Sequence, residues 1–445
     1  MLQKVHEVNV EAARTSIGQA AWPRPFPQVL EYNSAAHGPW NIVHTGMLVP
    51  GAHQIYVCAD NCSRGVVLTA AEMGAGSRFS SIRLTQEDLL DGQMEELVID
   101  GVREILDKLP VRPRIVILFT VCIHRFMGSD IDYIFRELGR LCPDTVFIRG
   151  YMDCIAQKEG PTPDQKLRAS IYDCLAPQEK EPGSVCIYGN DLPLDSASDL
   201  MALLKEAGRH VFQLPLCRSE EEFLDMSRAA LAAAVYPPAR YGMERFAGRM
   251  GIPGLYLPVC FGYKEIAAQL RLLAQTAGLS LPEKRLGAMQ EKAEQALALA
   301  GRVVGQMPVA IDSAAFPRVL SLARCLLEHG FRVIRIYADA FLEEEKEDFL
   351  WLRAHAPETQ IYAVTDPAMR VMPRRTEGRV LAIGQKAAYF TGTGNFVNVV
   401  ENGGMWGFDG ICRLAGLMAD AVIHEKDTRD IVSRKGLGLP SLVEV

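Results

Sequence analysis

Arg114-Ile-Val-Ile-Leu-Phe-Thr-Val121 runs without a charge into Cys122-Ile-His-Arg-Phe-Met-Gly-Ser-Asp-Ile-Asp132. An unbroken apolar run of this length reads as a strand buried on both faces, the signature of a parallel sheet. A helix is predicted to start at Ser129, with Asp132 three residues on as a capping-box-like pair. Its apolar stripe is Ile131, Ile134, Phe135, Leu138 and Leu141, and Val146–Gly150 is the next strand. Cys122 sits where strand gives way to helix. Free N–H groups and the positive end of a helix dipole favour negative sulfur there.

Downstream the alternation continues. Strands are expected at 184–189, 210–214 and 255–259, with helices at about 195–207, 219–234, 240–250 and 264–276. A third block has strands at 308–311, 332–337, 360–364 and 379–383, helices at 317–328 and 342–354, and a last helix at about 411–424. The expected fold is α/β, with three Rossmann-like doubly wound domains and parallel sheets around a central cleft. Residues 1–165 form an N-terminal cluster-binding domain, 166–300 a second domain, and 301–445 a third with the C-terminal helix. Residues 1–110 are the least periodic, with prolines at 23, 25 and 27 and a loop at Ala35–Pro39.

The 445 residues, 49% hydrophobic and 23% charged, suit several packed cores. A net charge of −7 without long runs argues against non-specific binding to nucleic acid or a membrane surface. No apolar run reaches the roughly 18 residues that span a bilayer. Met1–Glu7 has no apolar signal core, so a cytoplasmic location is expected.

Eleven cysteines, an odd number, do not make a disulfide framework in such a protein. Cys186 and Cys325 read as buried hydrophobes. Cys58 and Cys62, in Val57-Cys-Ala-Asp-Asn-Cys-Ser-Arg-Gly65, join Cys122 as three thiols of one N-terminal region, and they point to an iron–sulfur cluster. A 4Fe–4S cluster takes four ligands, so three cysteines leave a fourth position to Asp60, water, a substrate or a cysteine of another subunit. His124 has two readings, one facing the cluster and one as a polar first-turn residue, and the second is favoured. No glycine loop followed by lysine cradles a phosphate, because Gly74–Ser77 and Gly392–Gly394 lack the lysine. Neither ATP hydrolysis nor dinucleotide binding is therefore expected of this chain.

Taken together, these features resemble nitrogenase component 1 and its superfamily of nitrogenase-like reductases and cofactor-assembly scaffolds. The Cys122–Asp132 segment is similar to the family's cysteine followed by a Gly-Asp-Asp helix start. The Cys62 segment, with His53 upstream, is similar to its second cluster cysteine. Gly251-Ile-Pro253 resembles a strand entry of the family, and Gly403-Gly-Met-Trp-Gly-Phe-Asp-Gly410 its glycine motif before the final helix. The chain also departs from the pattern. Ser34 stands where the first cluster cysteine is usual, and Cys58, which has no counterpart, is a candidate to replace it. No cysteine lies near Val235–Pro238 and no histidine near Asn398–Glu401, where dinitrogen-reducing members ligate their cofactor. The resemblance implies the catalytic component of a nitrogenase-like reductase that does not reduce dinitrogen. It implies a 4Fe–4S cluster, or a larger iron–sulfur cluster, on Cys58, Cys62, Cys122 and Ser34. Single electrons would come from an ATP-hydrolysing iron–sulfur reductase resembling the nitrogenase iron protein, and pass to a substrate in the cleft. A homologous or identical subunit would complete the oligomer. A non-catalytic scaffold for metallocluster or tetrapyrrole assembly is the alternative, and a subunit that has lost its cluster is a third reading.

Overall fold

The computed structural model describes residues 10–26, 42–153, 160–370, 372 and 378–427. The chain divides into two compact units. Of the described residues, one comprises those within 42–193 and 209–257, and the other those within 10–26, 194–208 and 258–427.

The first unit holds two four-stranded parallel sheets. The N-terminal sheet is built from β2 (His53–Cys58), β3 (Phe79–Arg83), β4 (Ile115–Val121) and β5 (Val146–Met152), in the order β3-β2-β4-β5. All six residues of β2 are buried, as are six of the seven in β4. Both strands are covered on both faces, as their apolar runs require. The residues of β2 divide alternately between two cores. Tyr56 and Cys58 pack on one face with Phe119, Val121 and Val66. Ile55 and Val57 pack on the other with Val98, Val102, Ile134 and Leu138.

The middle sheet has β6 (Val185–Ile187), β7 (Val211–Gln213), β8 (Leu231–Ala234) and β9 (Gly254–Tyr256), in the order β7-β6-β8-β9. The core around Tyr56 and Phe119 is continuous with the one around Tyr172, Tyr188 and Phe246, so one apolar body underlies both sheets of this unit.

The second unit holds a six-stranded sheet. Parallel strands β10 (Pro308–Asp312), β11 (Arg332–Tyr337), β12 (Gln360–Tyr362), β13 (Leu381–Ile383) and β14 (Phe396–Val397) lie in the order β12-β11-β10-β13-β14. The early strand β1 (Arg14–Ser16) pairs antiparallel with β12 at the edge. The helix Glu283–Val304, at 22 residues the longest described, packs along the final helix Gly407–Ile423.

Several expectations are corrected. Residues 1–110 carry β1, β2 and β3 together with the helices Asp60–Glu72 and Met94–Lys108. The stretch 219–234, expected as one helix, breaks after Asp225 and ends in β8. Its Leu-Ala-Ala-Ala run favours helix locally, but burial between β6 and β9 overrides that preference. The helix after β4 is two helices, Cys122–Met127 and Ile131–Leu141. Gly128 ends the first in the left-handed conformation (φ 67°). Asp130, not Ser129, caps the second by accepting from the Tyr133 N–H at 2.8 Å. None of the described helices is long and apolar enough to cross a membrane.

Candidate functional site

In a doubly wound sheet, ligands bind beyond the carboxyl ends of the strands where the strand order reverses. In the N-terminal sheet the reversal falls between β2 and β4. The pairing runs from His53 with Val116 to Tyr56 with Phe119. Cys58 is the last residue of β2, and Cys122 follows the last residue of β4. The two cysteines therefore stand at the two lips of the crossing.

Cys62 reaches the same edge by another route. It lies in the first turn of the helix Asp60–Glu72, whose Cys62 and Ser63 N–H groups both donate to Ala59 O, at 2.9 and 3.1 Å. Val66 and Ala70 of this helix, with Met73 just past its end, pack on the face of the sheet that holds Tyr56 and Cys58. Cys62 is four residues before Val66, on the same stripe one turn earlier. It is exposed, whereas Cys58 is buried and Cys122 half-buried. Burial pushes the Cys58 thiol up to about 12, with Cys62 and Asp60 adding to the shift. A thiol so placed keeps its proton until a cation takes the proton's place, which is how metal binding couples to ligand ionisation.

The rings of Tyr56 and Phe119 stack at 4.2 Å beneath this edge. Gly150 on β5 leaves the room, since a Cβ there would stand 2.5 Å from the Phe119 ring. Tyr56 donates to Gln54 Oε1 at 2.8 Å, and Gln54 donates to Val43 O at 3.0 Å. Arg83 pairs with Cys58 in the β2–β3 register and makes a 3.1 Å ion pair with Asp60. Asp60, one of the candidate fourth ligands, is thus already engaged.

Other expected residues fall elsewhere. Ser34 lies outside the described residues. His53 is at the opposite end of β2, about 16 Å along the strand, where Ser80 Oγ is 2.8 Å from its Nε2. Burial lowers its pKa to about 4. His124 turns inward. The Val121 N–H donates to its Nδ1 at 3.2 Å, and the ring is buried. Residues two apart on a helix do not share a face, so His124 serves the helix start and not the face of Cys122.

Among the described residues, no group of three histidine, cysteine or acidic side chains is arranged around a single metal ion. A cubane spreads its thiolates more widely than one ion does. The donor chemistry at the edge, three thiols with no competing histidine, fits an iron–sulfur group.

The same crossing in the middle sheet, between β6 and β8, is filled by charge that the sequence reading overlooked. Arg168 in the helix Pro163–Asp173 is buried. It donates to Asp164 Oδ2 at 3.0 Å, to Asp191 Oδ1 and Oδ2 at 2.6 and 2.8 Å, to Gly189 O at 2.5 Å and to Thr45 Oγ1 at 3.2 Å. Its guanidinium also lies over the Tyr236 ring at 5.0 Å. Burial alone would lower the Arg168 pKa, but Asp164 and Asp191 reverse it and hold the charge. The i, i+4 pair Asp164–Arg168 was readable from spacing. Thr45 and Asp191 were not.

In the C-terminal sheet the crossing lies between β10 and β13. Buried Asp312 accepts from the N–H groups of Ala315 and Ala387, both at 2.8 Å. Burial raises its pKa, and Lys386 is near enough to oppose the shift. Gly384 adopts φ 107°, and a Cβ there would be 2.2 Å from Asp312 Oδ2, so only glycine fits. The backbone donors that would cradle a phosphate at such a crossing are spent on the chain's own carboxylate.

The glycine motif at 403–410 is structural. Gly407 (φ 76°) lies against Asp199, which accepts from the Asp409 N–H at 3.1 Å. Trp406 and Phe408 are buried in packing.

The nitrogenase component 1 type oxidoreductase family matches the chain over residues 43–423. The chain belongs to that family. Among solved structures, nitrogenase Cp1 at pH 6.5 superposes with a TM-score of 0.66 at 13% identity, covering 93% of this chain and 96% of that one. Nitrogenase Cp1 at pH 5 superposes with a TM-score of 0.56, also at 13% identity, covering 93% and 94%. At such identity the likeness establishes the fold. No curated protein matches the sequence.

Proposed function

We propose that this chain is the electron-accepting component of a nitrogenase-like reductase, with Cys58, Cys62 and Cys122 as the thiolate ligands of a 4Fe–4S cluster. Such a group, when bound, accepts and releases single electrons at a potential set by its ligands and burial. The chain supplies two thiols at the lips of the β2–β4 crossing and a third from the helix above. The stacked Tyr56 and Phe119 keep the underside dry, and the fourth position is left to Ser34 or to a group from outside. Family membership, together with Cys58 and Cys122 at the ends of two adjoining strands, supports the reading. An ATP-hydrolysing iron–sulfur protein is the proposed electron donor, since no phosphate-cradling glycine loop is present in the sequence. A second copy or a homologous subunit would bury the exposed Cys62 side.

The test is iron and acid-labile sulfide analysis with EPR on anaerobically purified protein. Cys62→Ala and Cys122→Ala are each expected to lose the brown absorbance, while Cys142→Ala keeps it. A Cys62→Ala/Cys122→Ala variant with full cluster content would sink the assignment. Cluster uptake without substrate-dependent ATP use by the donor would favour the assembly-scaffold reading.

A further inference from the structure

Cys122 is presented by a helix with few anchors. The helix Cys122–Met127 has six residues, too few to persist on its own. Its Phe126 and Met127 are 69% and 48% exposed. Arg125 meets Asp153 at 3.5 Å in an exposed ion pair, which is a weak tether. Ile123 is half-buried against the cores on both faces of the sheet. His124 is the one fully buried side chain of this helix. Val121, the residue before the helix, has no side-chain acceptor, so the usual cap by serine, threonine or aspartate is missing. The ring of His124 makes the bond in the reverse direction. Its Nδ1 accepts from the Val121 N–H at 3.2 Å, the half of a capping box that the third helical residue supplies. With Nδ1 as acceptor, the proton of the neutral ring is on Nε2, which is buried with no partner among the described residues. The place of the ring is therefore set by its bond to Val121. Strand β4 pairs with β2 only as far as Phe119, so beyond that point the strand end is held by β5 and by this ring.

We propose that His124 is a positioning residue for Cys122: by holding the Val121 N–H it fixes the angle at which the chain leaves β4, and with it where the third thiol stands. The purpose of this placement rests on the cluster reading, but the placement itself belongs to the metal-free chain. Glutamine at position 124 also reaches back to the N–H of the capping residue, whereas phenylalanine and leucine fill the space with no acceptor. The bond can therefore be removed and returned without touching any of the three cysteines.

The test compares the unaltered full chain with His124→Phe, His124→Leu and His124→Gln, each checked for folding by circular dichroism. In the reduced, metal-free proteins, hydrogen–deuterium exchange read by mass spectrometry follows peptides spanning residues 121–124. Exchange is expected to rise about fivefold or more in His124→Phe and His124→Leu, as the loss of one hydrogen bond implies, and to return to the original rate in His124→Gln. The same proteins are then reconstituted with ferrous iron and sulfide and reduced with dithionite, and EPR spectra are recorded. The g values are expected to move in the two acceptor-free variants and to be restored in His124→Gln, a pattern that a general loss of stability does not give. Should one acceptor-free variant not fold, the other is read. Unchanged exchange, unmoved g values in a loaded acceptor-free variant, or no restoration by His124→Gln would each overturn the proposal. Unfolding of both acceptor-free variants would do the same, since His124 would then serve the fold alone. If even the unaltered chain takes up no cluster, the cluster reading fails, and the exchange result decides by itself whether His124 places Cys122.

Discussion

The N-terminal and middle sheets of the first unit share one strand order and one crossing, yet the two crossings are put to opposite use. At β2–β4 the chain places soft, oxidisable thiols with graded exposure. At β6–β8 it places a hard ion cluster in which one guanidinium serves two carboxylates, a carbonyl and a hydroxyl. The strand order creates the crevice in both cases, and the side chains decide whether it is reserved for chemistry or closed by structure. The C-terminal crossing, with Asp312 across two backbone donors, belongs with the closed kind.

The contrast is broken most directly at Arg168. Arg168→Met takes the cationic partner from two buried carboxylates, and urea unfolding is expected to show a loss of about 3–5 kcal/mol. A loss below about 1 kcal/mol would mean that the middle crossing is not held closed by this ion cluster. Asp312→Ala removes the acceptor for Ala315 and Ala387, and a loss of about 2 kcal/mol is expected in the same assay. If Asp312→Ala is neutral, the C-terminal crossing is not held by that carboxylate.

A pH dependence sharpens the difference between the two ends of β2. His53 is buried and neutral, with a folded pKa of about 4 against an ordinary 6.5. A depressed histidine favours the neutral form of the folded state, so its contribution is present above pH 6.5 and is lost as pH falls toward 4. His53→Gln is expected to flatten the decline in unfolding free energy between pH 6.5 and 4.5, relative to the unaltered chain. An unchanged slope would show that His53 charges without penalty. Least of all should change at Phe126, which is 69% exposed at the tip of the short helix after Cys122. Phe126→Ser should leave folding stability within about 0.5 kcal/mol. A larger loss in thermal unfolding would show that this tip is covered by something in solution.

How much was legible in the sequence varied with how local the signal is. The strand at 115–121 and the helix Arg240–Met250 declare themselves, because apolar runs and stripes are properties of neighbouring residues. The cysteine edge was legible as composition, but the helix Asp60–Glu72 that carries Cys62 was not, since its stretch shows little periodicity. What could not be read is anything that depends on distant pairing. That Cys58 and Cys122 come at adjoining strand ends follows from the β2–β4 pairing. Strand β8 was hidden by alanines, whose local preference is helical, and β1 by its partner β12 far along the chain. The Arg168 cluster joins residues 45, 164, 168, 189 and 191, of which only Asp164 and Arg168 share a helix face.

The span of that cluster also bears on how the chain emerges from the ribosome. Thr45 and Asp191 are 146 positions apart. Synthesis adds about 5–20 residues per second, so Thr45 waits several seconds for Asp191. During that interval β2 to β5 are all available, but Arg168 has only half of its carboxylate partners. The N-terminal sheet is then expected to persist as a loosely anchored intermediate, tightening in one late step when the loop at 189–191 arrives. Pausing of translation between codons 168 and 191 should therefore lengthen the time in which nascent chains are open to protease.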